Sequence, residues 1–177
     1  MAEAPLLWAS LASVQDWDAL IWFEWLVDST SDRDHFVHSQ FDLSHATVKT
    51  AQFPTASSLF RSGSLPPADG RFTIHRPLEA AVMQTLIGKS PTPWPMGQPE
   101  FWIRHRIRSS LNEDAPVPDV QGTPSTTLNW EEDAGQLTID LPQTQAGIGE
   151  GPIALSALKT DLSHWASVSL SSVDGRP

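Results

Sequence analysis

Glu24 stands between Trp22 and Trp25. A carboxylate accepts hydrogen bonds from sugar hydroxyls, and an indole face packs on the apolar face of a sugar ring, so this trio is a candidate substrate-binding set. Alternation along a strand puts Trp22 and Glu24 on one side and Phe23 and Trp25 on the other, so at most one indole joins the carboxylate. An ion pair or a solvent-facing strand end is the plainer reading of Glu24. Asp32, Asp34, His35, His38 and His45 are imidazole and carboxylate groups of the kind that ligate metals, but their spacing matches no compact ligand motif. They read as a solvated loop, with His38 or His45 lining a substrate cleft, and no metal site is expected. Asp16 and Asp18 flank Trp17 at a turn, where short carboxylates cap backbone N–H groups. Arg104, Arg106 and Arg108 form a basic stripe that pairs with nearby carboxylates more readily than with phosphate. The glycine-rich run 147–151 lacks the strand, helix and lysine of a phosphate loop and reads as a turn. No serine has nucleophile-elbow spacing, and no catalytic residue is assigned.

Composition narrows the function further. The 177 residues carry 21 Asp plus Glu against 11 Lys plus Arg, a formal charge of -10, which argues against nucleic acid and against anionic membrane surfaces. There is no cysteine, so disulfides, thiolate metal sites and thiol nucleophiles are all excluded, while the redox compartment stays undecided. No run approaches the roughly 20 apolar residues of a membrane span. No cofactor is implied. Eight tryptophans accompany no tyrosine, and fifteen prolines with ten glycines break the second half into short pieces.

The elements that must position these groups follow from periodicity. Leu7, Leu11, Val14 and Trp17 recur near helical spacing and predict a helix ending around residues 15–18, with Pro5 in its first turn. Residues 19–27 are aromatic and β-branched without alternation, the pattern of a strand buried on both faces in a parallel sheet. A polar stretch, 28–44, leads to a helix over 47–61 that Gly63 ends and Pro54 interrupts,. Residues 64–70 read as a linker. Beyond it come a strand over 71–76, a short helix over 77–86 and a strand over 101–108 by period-two alternation. A hairpin of 126–130 with 136–141 places Leu128 and Trp130 on the core of Leu137, Ile139 and Leu141. Strands over 144–148 and 166–170 follow. The expected class is α+β: a terminal βα unit of a truncated (β/α)8 barrel, residues 1–63, then an antiparallel β-sandwich accessory domain, residues 71–177, itself truncated. A doubly buried strand needs parallel neighbours that one βα unit does not supply, and the hairpin signal Asp174-Gly175 is followed by two residues only. Both signs lead to the expectation of a piece of a longer polypeptide, unless a partner chain supplies the missing strands.

The segment 9–18 followed by Ile21-Trp22-Phe23 resembles the last helix and strand of bacterial clan A glycoside hydrolases, the cellulase and β-galactosidase-like (β/α)8 enzymes. Asp42-Leu43-Ser44-His45 with the helix over 47–60 looks like their closing barrel helix. Segments 127–130, 137–146 and 168–175 are similar to the β-sandwich that follows the barrel in some of them. The resemblance implies retaining hydrolysis by two glutamates whose carboxyl groups lie roughly 5 to 5.5 Å apart. If residues 21–25 are the eighth strand, both glutamates would precede Met1 and neither maps onto this chain. The implied function is a C-terminal fragment of a carbohydrate-active retaining glycoside hydrolase, not competent alone, whose partners are an oligosaccharide or polysaccharide and the rest of the barrel. The rival readings are a non-catalytic carbohydrate-binding module using Trp94, Trp102 or Trp165 as a platform, and a structural or interaction domain.

Overall fold

The computed structural model describes residues 3–22, 25, 37, 39, 41–75, 78–87, 99–111, 119–160 and 166–171. Along these the chain forms α1 (Ala4–Gln15), α2 (Thr47–Ser62), β1 (Arg71–His75), α3 (Leu78–Leu86), α4 (Pro99–Arg104), β2 (Arg106–Ser110), β3 (Asp119–Gln121), β4 (Leu128–Glu131), β5 (Gln136–Asp140), β6 (Thr144–Gly149), β7 (Ile153–Ala154), β8 (Lys159–Thr160) and β9 (Ala166–Ser171). The class is α+β, with sheets that are mostly antiparallel. The chain divides into two compact units, one of Met1–Ser13, Trp17–Pro66 and Thr127–Pro177, the other of Val14–Asp16 and Pro67–Thr126. The β segments on either side of Thr126 therefore belong to different units.

In the first unit α1 buries Leu6, Ala9 and Ala12, an i, i+3, i+6 face that small residues keep close to its neighbours. Ser10 and Ser13 are buried beside them, and each hydroxyl donates to the carbonyl four residues back, at 2.7 Å to Leu6 and 2.9 Å to Ala9. That bond removes the cost of an unpaired hydroxyl in the core. Past the helix the Trp17 N–H donates to the Ala12 carbonyl at 3.0 Å, across Asp16 at φ 62°, which is the closing bond of a Schellman turn with aspartate in the position glycine usually takes. Helix α2 closes on Gly63 at φ 64°, a left-handed conformation that a side chain would strain. It buries Leu59 and Ala56. Pro54 lies inside it and cannot donate to the carbonyl one turn back.

The four-stranded sheet of this unit runs β4-β5-β6-β9, antiparallel throughout. Leu128 faces Ile139 and Trp130 faces Leu137, within the hairpin that the sequence predicts. Strand β6 is buried along its length, and its glycines let other groups approach. Ile153 of β7 lies over Gly147 so closely that a Cβ there would stand 2.6 Å from Ile153 Cγ2. Helix α2 holds the edge strand β9 through Gln52, whose Nε2 donates to the Ser167 carbonyl at 3.0 Å and whose Oε1 accepts from the Ser169 hydroxyl at 3.2 Å. The turn between β7 and β8 is pinned to the sheet: Gln145 accepts from the N–H groups of Ala157 and Leu158, and Asp140 from the N–H and hydroxyl of Ser156.

The second unit holds a three-stranded sheet of order β2-β1-β3, in which β1 is parallel to β2 and antiparallel to β3. Residues 101–104, expected to begin a strand, are helical in α4, and the strand starts at Arg106. Alternation over a few residues carries little information when tertiary contacts reward another conformation. Here the helical turn, closed by His105 N–H donating to the Phe101 carbonyl at 3.0 Å, sets the Phe101 ring 5.1 Å from Phe72 of β1. Gln15 braces the turn from helix to strand. Its amide nitrogen donates to the carbonyls of Trp102 and His105, and its oxygen accepts from the Ile107 N–H, each at 2.7 Å. The basic stripe resolves in the same way, because Arg104 lies in α4 and Arg106 pairs with Asp16 at 2.7 Å.

Candidate functional site

The predicted substrate-binding residues are Trp22, Glu24, Trp25 and His38. Glu24 and His38 lie outside the described residues, as do Asp32, Asp34 and His35 of the weighed metal set. Among the described residues no group of three His, Asp or Glu could hold a metal ion. The strand expected over 19–27 is not seen over its described positions. Ala19, Leu20, Ile21 and Trp22 have no regular structure, Trp25 lies in a bend, and Ile21 is 87% exposed. An apolar run of this length reads alike whether it is buried or lies across a surface.

Trp22 and Trp25 have different surroundings. The Trp25 side chain is 64% exposed, and its carbonyl accepts from the N–H groups of Leu43 and Ser44 at 3.1 and 3.0 Å, fixing the approach to α2. Below that turn Asp42 is fully buried and accepts from the Ser39 N–H at 3.0 Å, while the buried Lys49 ammonium donates to the Asp42 carbonyl at 3.1 Å. The Trp22 indole is half-buried, donates from Nε1 to the Phe41 carbonyl at 3.0 Å and meets Phe53 of α2 edge to face at 5.5 Å. Its orientation is thereby held at both the polar and the apolar end.

Those contacts place Trp22 in the wall of a cavity of about 380 Å³, within the first unit, that sequence reasoning did not find. Pro5 and Ala9 of α1, Leu20, and Phe53, Ala56 and Phe60 of α2 complete its apolar lining, and Asp18, Ser57 and Arg61 are its polar groups. Positions 53, 56, 57, 60 and 61 are one stripe of a helix, so the residue types of α2 were legible, but what that stripe faces was not. Asp18 and Arg61 make no hydrogen bond or ion pair among the described residues, which leaves a carboxylate acceptor and a guanidinium donor at an aromatic cavity. The volume falls within the roughly 300–1,000 Å³ of small-molecule sites. A lining of rings with a few polar groups suits a ligand with an apolar face and hydroxyls at its edge.

Of the alternative platform residues, Trp94 and Trp165 lie outside the described residues, and Trp102 is half-buried with its carbonyl taken by Gln15. Trp8 and Trp17 are instead the exposed indole pair, with ring centroids 6.4 Å apart, planes 28° from parallel and exposures of 45% and 43%. In the second unit His105 is buried with Nδ1 unpartnered among the described residues, and burial, followed by the Arg104 charge, lowers its pKa below 6.5. No described helix is long and apolar enough to cross a membrane. Comparison of the chain with protein-family models, with curated proteins and with solved structures gave no match.

Proposed function

We propose that the chain is a non-catalytic part of a carbohydrate-active retaining glycoside hydrolase, and that it binds a saccharide in the Trp22 cavity. The observation that carries the reading is the joining of Trp22, Phe53 and Phe60, around about 380 Å³, with Asp18 and Arg61, which are unpaired among the described residues. A pyranose ring has apolar C–H faces for the aromatic rings and hydroxyls that donate to Asp18 and accept from Arg61. The resemblance of segments 9–18 and 42–60 to the closing helices of clan A enzymes supports the same class. In this reading α1 and α2 are barrel helices, and the sheet of β4, β5, β6 and β9 is a layer of the accessory sandwich.

Calorimetric titration of the chain with disaccharides of the glucose, xylose, mannose and galactose series tests the proposal. One of them binds, Trp22→Ala weakens it by at least about ten-fold, Trp25→Ala leaves it unchanged, and no reducing sugar is released on incubation with longer chains. Absence of binding across the panel, or affinity that ignores Trp22→Ala, overturns it.

A second reading, an interaction module, is favoured by the second unit. Helix α3 exposes Leu78, Val82, Met83 and Leu86, each by about half or more, an apolar stripe of the width that helix–protein contacts use. Sedimentation of the chain alone and with Val82→Lys decides whether that stripe associates.

A further inference from the structure

We infer that the Trp8–Trp17 pair is a second saccharide-stacking subsite, so that the ligand of the first unit is an oligosaccharide longer than the cavity holds. The inference rests on the saccharide reading of the Trp22 cavity. Trp8 immediately precedes Ala9, and Trp17 immediately precedes Asp18, and both Ala9 and Asp18 line that cavity. The same two segments therefore form a wall of the cavity and carry the indole pair.

The two indoles pack on each other and keep part of their surface open to a ligand. Their rings are stacked at 6.4 Å with planes 28° apart and each remains more than two-fifths exposed. Each indole thus braces the other, which lowers the entropy lost when a ligand settles on them. Neither indole N–H has a hydrogen-bond partner among the described residues, and Asp18, equally unpartnered, directly follows Trp17 and lines the cavity. An apolar helix face, whose backbone groups are already bonded within the helix, would bury two indole donors and a carboxylate unpaired if laid across this surface, a desolvation cost that opposes docking. A polyhydroxylated chain gives those groups hydroxyl partners while its ring faces cover the indoles. The surface chemistry favours a neutral saccharide over an apolar helix face.

The test compares two- and six-unit oligosaccharides of the series that binds the cavity, by calorimetry, on the intact chain and on Trp8→Ala/Trp17→Ala. The six-unit ligand binds at least about ten-fold tighter than the two-unit one. The double variant loses that gain yet keeps the two-unit affinity, which also shows that it folds. Equal affinity for both lengths, or a gain that survives the double variant, overturns the second subsite and leaves the cavity reading standing. Failure of every series at both lengths removes the cavity reading and this inference with it. A variant that loses the two-unit affinity as well is replaced by Trp8→His/Trp17→His, read by the same criteria.

Discussion

Replacing Gln15 by methionine keeps the length and volume of the side chain but removes all three hydrogen bonds, those to the carbonyls of Trp102 and His105 and from the Ile107 N–H. Each bond is 2.7 Å long and Gln15 is 8% exposed, so water has little access to take their place. A net contribution of about 1 kcal/mol per bond gives a loss of about 3 kcal/mol for the second unit, and its melting midpoint falls by about 12 to 24 °C. Gln15→Glu is worse near neutral pH, because a carboxylate oxygen then faces the two carbonyls in place of an amide donor. The assay is urea unfolding followed by amide resonances of residues 106–110, together with hydrogen exchange at the Ile107 N–H. That N–H exchanges faster in both variants. A loss below about 1 kcal/mol for Gln15→Met, with Ile107 exchange unchanged, refutes the claim that this one side chain holds the α4 to β2 turn.

Three further outcomes test the packing and the electrostatics. Gly147→Ala puts a methyl 2.6 Å from Ile153 Cγ2 and 2.8 Å from Cδ1, where Ile153 is 1% exposed, and overpacking costs about 1–3 kcal/mol. Ile153→Ala in the same chain relieves the clash, so a double-mutant cycle shows coupling of about 1 kcal/mol or more, and additivity contradicts the contact. Leu59→Ala, at a fully buried position of α2, costs about 2–5 kcal/mol in the first unit by denaturant unfolding. His105 has its folded pKa lowered from 6.5 by burial and then by Arg104, so the unfolded chain takes up a proton first as pH falls. Stability of the second unit is therefore whole above pH 6.5 and declines as pH drops from there toward the lower folded value. His105→Gln removes that slope in thermal melts between about pH 8 and about pH 5, whereas an unchanged slope assigns it to another group.

Local chemistry is written in this sequence wherever one segment suffices to satisfy itself. Pro5 near the start of α1, Gly63 at the end of α2, and the alternation of Leu128, Trp130, Leu137 and Ile139 are each read from a few adjacent residues, because caps, left-handed turns and strand faces are local geometry. The α+β class follows from the same signals. Residues 19–22 and 101–104 show the limit. Their apolar content marks them for burial or contact, but a short run does not say whether it will be strand, helix or an irregular surface segment. Of the expected helical face Leu7, Leu11, Val14 and Trp17, only Val14 is fully buried, Leu7 and Leu11 are half-buried and Trp17 is exposed, while Leu6, Ala9 and Ala12 are the buried face of α1 in the first unit. Tertiary structure alone brings Trp22 against Phe53 and sets Asp18 and Arg61, unpaired among the described residues, at one cavity. Residue types fix what a side chain can bond, but only the packing of segments distant in sequence decides which bonds are made and which groups are left for a ligand.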